Sequence, residues 1–301
     1  MGIIVHNKIS LRMEYNETII NSVSEYLIWV KQTNYCIVKA DDGTQIPFDQ
    51  PEIYYRGQSC KCWDLKPSVF RENSCSDENA LLKKATLQLW NEISTLRSYL
   101  EKDIFFQHYG LSTRLLDVTF NPLIALYMSC YDDNKKSCDG AVYCGFRTEK
   151  KDDRIAELTM KYVFENELQT CDYKFQHFTN DENVNVKLFQ SPLFILPPIN
   201  NPRIEAQNGA FIMAPLVKEV KEDGCVLFNR DGLESTDFFD DRRAIIPSEY
   251  KADFLHELSV YGIDSGTIYK GVEEKIKAIM MEEKWKEDYL KNRIIITETK
   301  L

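Results

Sequence analysis

The segment Gln107-His108-Tyr109-Gly110-Leu111-Ser112-Thr113-Arg114-Leu115-Leu116-Asp117 constrains the fold of this chain more than any other stretch. It gathers a Gln, a His, a Thr, an Arg and an Asp around a glycine, runs on to Asn121-Pro122-Leu123, and has apolar sequence on both sides. Such a run has neither the polarity of a loop nor the period of a helix. A polar group buried without a partner costs free energy, so an ordinary core does not hold this many hydrogen-bonding side chains. The segment reads as the wall of a pocket or as a buried polar network.

Two further polar segments sit at the ends of β-favouring runs. In Ile53-Tyr54-Tyr55-Arg56-Gly57-Gln58-Ser59 a strand leads into an arginine and a glycine. A strand ending this way aims a guanidinium into a cleft, while the glycine admits another backbone or a ligand at close range. In Asn201-Pro202-Arg203-Ile204-Glu205-Ala206-Gln207-Asn208-Gly209-Ala210-Phe211-Ile212 a polar stretch enters a glycine and then an apolar strand.

Periodicity supplies the scaffold around these segments. Ile19, Ile20, Val23, Tyr26, Leu27 and Val30 have helical spacing, and residues 78–106 carry a long apolar helical face with a break near Ser98. Asn121-Pro122 suits a helix start, and residues 123–131 are too apolar for an exposed helix. Core strands are expected at 140–146, 193–196, 211–214 and 243–246, and helices at 249–260 and 271–291. No regular βαβ alternation occurs, so the fold class is α+β: a mixed, mainly antiparallel sheet flanked by helices. The expected organisation is a lead-in with an amphipathic helix over 1–50, a main domain over 51–265 with a helical insertion at 149–190, and a C-terminal helix and tail over 266–301.

Composition narrows the partners. The net charge of −10 argues against a basic face for nucleic acid. Nine cysteines include no Cys-x-x-Cys pair and no zinc-type His spacing, so free thiols and no metal are expected. The start Met1–His6 lacks the regions of a secretory signal, and no stretch reaches the roughly 18 apolar residues of a membrane span. A cytoplasmic protein without a membrane partner is the expectation. Gly-x-Gly-x-x-Gly, Gly-Lys-Ser/Thr and Gly-x-Ser-x-Gly are all missing, which disfavours dinucleotide-fold, P-loop and α/β-hydrolase chemistry.

Arg56 has two readings: a bidentate fork for phosphate or carboxylate, or a buried ion pair with Asp117. His108 is a candidate general base, weighed against a satisfied core histidine. Asp117 is an acid/base group or, by preference, an orienter. Glu205 is a candidate carboxylate for positive charge on a sugar ring, against an exposed strand-edge residue, and Gln207 is the better pocket candidate. Tyr55, Gln58, Gln107, Thr113, Arg114, Asn121 and Arg203 are expected to complete the ligand-binding wall.

Four blocks occur in order: Tyr55-Arg56-Gly57; Gln107 to Asp117; Asn201-Pro202-Arg203 with Gln207-x-Gly209-x-Phe211; and Ala244-Ile245-Ile246-Pro247 with Leu255-x-x-Leu258 and Gly262-Ile263. Together they resemble the FRG domain family, named for an aromatic-Arg-Gly motif, with Tyr55 where the name has Phe. The aromatic-Arg strand and Ser112-Thr113 are also similar to elements of ADP-ribosyltransferases. That similarity implies an ADP-ribosyltransferase-like fold, with NAD as substrate, its pyrophosphate on Arg56, and a Glu-bearing strand for which Glu205 and Gln207 are the nearby candidates. The implied activity is a NAD-using transferase or glycohydrolase that displaces nicotinamide from an oxocarbenium-like ribose. The alternative is a non-catalytic module sensing a nucleotide, a phosphorylated ligand or a protein through Arg56, Arg114 and Arg203, with bacterial stress or phage defence as the setting the FRG resemblance implies.

Overall fold

The computed structural model describes residues 16–33, 37–39, 45–47, 52–71, 78–131, 137–147, 153–168, 172, 173, 175, 185–197, 202–233 and 238–270. The helix expected over 271–291, Asn201 and parts of the expected insertion lie outside them.

The chain begins with β1 (Asn16–Ile19), α1 (Val23–Thr33), a ribbon of β2 (Ile37–Lys39) and β3 (Gln45–Pro47), and the longer β4 (Glu52–Gln58). Helices α2 (Glu78–Gln88), α3 (Trp90–Ile93) and α4 (Tyr99–His108) lead to β5 (Leu115–Thr119), α5 (Pro122–Cys130) and β6 (Gly140–Arg147). There follow α6 (Asp153–Glu165), β7 (Leu193–Ile195), α7 (Pro202–Ala206), β8 (Gly209–Met213) and a ribbon of β9 (Val217–Val220) and β10 (Val226–Phe228). Strand β11 (Arg242–Ile246), α8 (Lys251–Val260) and α9 (Ser265–Tyr269) complete the described fold.

Seven strands form one sheet in the order β1-β11-β6-β4-β5-β8-β7. Strand β1 runs parallel to β11, and every other neighbouring pair is antiparallel. The fold is therefore α+β with a mixed, mainly antiparallel sheet. The helical run expected over 78–106 is three helices. Its last break is sealed at Ser98, whose hydroxyl accepts from the Glu101 N–H while the Glu101 carboxylate accepts from the Ser98 N–H. The polar stretch around Arg203 and Glu205 is helix α7, not an extended lead-in to a strand.

The register puts Tyr55, Val142, Ala244 and Ile246 on the same sheet face as Leu115, Asp117, Phe211 and Met213. Two helical groups cover that face. Tyr55, Val142, Ala244 and Ile246 pack with residues of α1, α5 and α8. Leu115, Phe211 and Met213 pack with residues of α2, α4 and α6. The opposite face carries Tyr54, Leu116, Val118, Tyr143 and Ile212 beneath Leu65, Leu233 and Phe239. At Gly57 a Cβ would lie 1.9 Å from the Ala125 carbonyl oxygen, so the glycine is what lets α5 seat directly on β4.

No helix among the described residues is long and apolar enough to cross a membrane, and these residues hold no cluster of His, Cys, Asp and Glu suited to a metal. The expectation of nine free thiols is corrected. Cys60, Cys62, Cys130, Cys138 and Cys144 keep their thiols outside any disulfide, but Cys225 is disulfide-bonded. Spacing along a chain does not report which cysteines a fold brings within bonding distance.

Candidate functional site

A cleft of about 250 Å³ lies on the sheet face shared by the two helical groups. Its position follows from an incomplete ladder. Strands β4 and β5 pair at Tyr55 and Thr119 alone, so they part toward Gly57 and Asp117. Alternation puts Arg56 on the face opposite Gly57. In the gap its Nη1 donates to the Asp117 main-chain carbonyl at 2.6 Å, and the residue lines the cleft.

The end of α4 supplies Gln107 and His108, α7 supplies Arg203 and Ile204, and the turn into β8 supplies Gln207. The Gln207 carbonyl accepts from the Thr119 hydroxyl at 2.6 Å, which ties that turn to β5. Gln107 is itself oriented. Its Oε1 accepts from the Thr113 hydroxyl at 2.6 Å and its Nε2 donates to Asp117 Oδ2 at 3.1 Å. Thr113 is held in turn through its N–H on Ser68 Oγ at 3.1 Å. This chain from Ser68 to Asp117 fixes the direction of the carboxylate.

Donors outnumber acceptors in the cleft. Arg56 Nε and Gln207 Nε2 are buried without a hydrogen-bond partner, a desolvation cost that a ligand acceptor would offset. Burial, with a contribution from Arg71 and against the attraction of Asp117, pushes the Arg56 guanidinium down to about 10, so it remains cationic at neutral pH. His108 is pushed below the usual imidazole range by burial first and by the Arg203 cation second, with Asp117 opposing. It is therefore a neutral imidazole near pH 7. Arg203 stands 4.7 Å over the Tyr269 ring, which also lines the cleft.

The structure thus brings together Arg56, Gln107, His108, Asp117, Arg203 and Gln207, from three segments far apart in sequence. Other expected residues lie elsewhere. Tyr55 faces the core between β4 and α5. Gln58 is buried and its Nε2 donates to the Asp64 carbonyl at 3.4 Å. Thr113 is fully buried and acts on the cleft through Gln107. Asn121 caps α5, its Oδ1 accepting from the Leu123 N–H at 3.0 Å. Glu205 is exposed on α7, away from the cleft lining, because its helical position turns it outward.

Arg114 requires the largest correction. Expected at a ligand, it is 0% exposed and held bidentately by Glu78, with Nε to Oε1 at 3.0 Å and Nη2 on Oε2. Its partner sits at the start of α2, far upstream, so nothing in the local sequence announced the pair. Of the two readings of Arg56, the ion pair with Asp117 is not formed; its guanidinium donates to the Asp117 main-chain carbonyl instead. Sequence reasoning missed Tyr269, which lay beyond the expected domain boundary, and Met128, whose apolar helix gave no sign that one residue borders a cleft.

No curated protein and no solved structure matches the chain. A family model does match, over residues 51–138, a span that includes Arg56, Gln107, His108 and Asp117 but not Arg203, Gln207 or Tyr269. On that match, and on the ordered motifs it contains, the chain carries an FRG domain.

Proposed function

We propose that the cleft binds a phosphate-bearing nucleotide. The observation that carries this reading is the pair of buried, unpartnered donors, Arg56 Nε and Gln207 Nε2, in a cleft that also holds the Arg203 guanidinium. Oriented N–H donors with two guanidiniums and a single lining carboxylate, Asp117, suit an anionic oxygen ligand. The volume of about 250 Å³ matches one nucleotide half better than a whole dinucleotide.

Within this class we favour NAD as substrate and displacement at its ribose as the chemistry. Asp117, rather than the outward-facing Glu205, is then the carboxylate that stabilises positive charge developing on the sugar, with Gln107 holding it in place. His108, neutral near pH 7, is the base for the incoming nucleophile. The fold alone carries no activity, so this assignment rests on the cleft. The second reading, nucleotide sensing without turnover, draws on the small volume, which leaves part of a dinucleotide outside.

Incubation of the full chain with NAD, followed by chromatography for nicotinamide, separates the readings. Nicotinamide release that is lost in Asp117→Asn supports catalysis. Saturable binding of adenosine 5′-monophosphate or NAD without release supports sensing. Absence of binding to either nucleotide overturns both.

A further inference from the structure

Arg203 is placed by an element that lies outside the segment matched by the family model. It sits on the short helix α7, lines the cleft, and its guanidinium carbon is 4.7 Å from the centre of the Tyr269 ring. Tyr269 ends α9, another short helix, which packs against α7. That helix is anchored by a capping box in which Asp264 Oδ1 accepts from the Thr267 N–H at 2.8 Å and Thr267 Oγ1 accepts from the Asp264 N–H at 3.0 Å. Tyr131, which follows α5, is also a neighbour of the ring, at 6.1 Å between centroids. Tyr269 is therefore held from two sides while one face meets a guanidinium.

A guanidinium laid on an aromatic face keeps its plane, and its N–H donors radiate from the edge. Arg side chains otherwise explore many rotamers, and ordering one on ligand binding lowers affinity. We propose that Tyr269 is a positioning residue of the cleft: its ring holds the Arg203 guanidinium beside His108, where it docks an anionic oxygen group of the ligand. The docking half of this statement rests on the nucleotide reading above; the positioning half does not.

Electrostatics gives an independent sign of the arrangement. Arg203 is the charge that lowers His108, while Asp117 raises it. If Tyr269 keeps Arg203 in place, removing the ring releases that cation and His108 titrates at higher pH. A tyrosine that serves packing alone leaves the His108 titration where it was.

The test uses the full chain without ligand. The His108 imidazole is titrated by NMR in the parent, Arg203→Gln, Tyr269→Leu and Tyr269→Phe, with Tyr269→Met as a second ring removal should the leucine variant not fold. Calorimetric titration with adenosine 5′-monophosphate and with inorganic phosphate follows. The expected result is an upward shift in Arg203→Gln and in the ring-less variants, with Tyr269→Phe like the parent. Nucleotide binding is expected to weaken about three- to tenfold without the ring, the size of a partly exposed cation–π contact. A ring-less variant with the parental His108 titration overturns the proposal, as does an unmoved His108 in Arg203→Gln. Upward shifts without binding of either anion to the parent leave Tyr269 as the holder of Arg203 and remove the nucleotide reading instead.

Discussion

The Arg56 guanidinium donates to the main-chain carbonyl of Asp117 at 2.6 Å and leaves the Asp117 carboxylate to Gln107. The two motif residues are thus joined across the gap between β4 and β5 without neutralising one another. A direct ion pair would have spent both charges on structure. The observed arrangement keeps a cation and a carboxylate in one cleft, each held by a neutral partner.

This geometry separates the consequences of two substitutions. Arg56→Lys keeps the charge but loses the fork, so nucleotide affinity should fall about ten- to a hundredfold, the scale of lost charge-assisted hydrogen bonds. Asp117→Asn alters an exposed side chain, so its stability should stay within about 0.5 kcal/mol of the parent. Thermal melts beside calorimetry check both; a large, equal loss of stability in the two variants would show an ion pair after all.

The Glu78–Arg114 pair should behave in the opposite way. Both side chains are buried, at 6% and 0% exposure, and removing one partner leaves an uncompensated charge. Glu78→Gln is expected to cost about 3–5 kcal/mol in urea unfolding. Any nucleotide binding by the variant that remains folded should be unchanged.

Asp103 makes stability depend on pH. Its carboxylate oxygens are buried without partners, and burial first, then Glu78, push it well above the usual carboxylate range. The folded state therefore retains a proton that the unfolded chain releases above about pH 4. The penalty grows as pH rises from there toward the folded-state value. Asp103→Asn should be more stable than the parent at neutral pH, with the advantage vanishing below about pH 4. Melts from pH 3.5 to 8 that show a constant offset would contradict this.

Gly57 should tolerate no side chain. A Cβ there meets the Ala125 carbonyl oxygen at 1.9 Å and the Ser129 nitrogen at 2.8 Å, both main-chain atoms of a packed helix. Gly57→Ala should lose about 3 kcal/mol or more, the upper range of overpacking costs. Gly110, at φ 87° with open space around its Cβ position, should lose only about 1 kcal/mol as alanine. Chemical denaturation of the two variants compares a steric cost with a conformational one.

A thiol titration of the denatured, unreduced chain should fall short of the nine cysteines, because Cys225 is disulfide-bonded. Reduction should restore the full count and lower the melting temperature by an amount corresponding to about 2–4 kcal/mol. A full count before reduction would remove the disulfide.

The sequence by itself determined the α+β class, most strands and helices, and the segments that meet at the cleft. These features are local: apolar period, glycine and proline punctuation, and polar residues concentrated at element ends are written in neighbouring positions. What tertiary structure alone decided was the destination of each polar side chain. Arg56 and Arg114 both stand in motif strings, yet one lines a cleft and the other is sealed against Glu78. Glu205 and Gln207 are two positions apart, yet one is exposed and the other lines the cleft. Tyr269 acquires its partner Arg203 from distant chain. Burial and pairing depend on which surfaces pack together, and that is a property of the assembled sheet and helices rather than of any window along the chain.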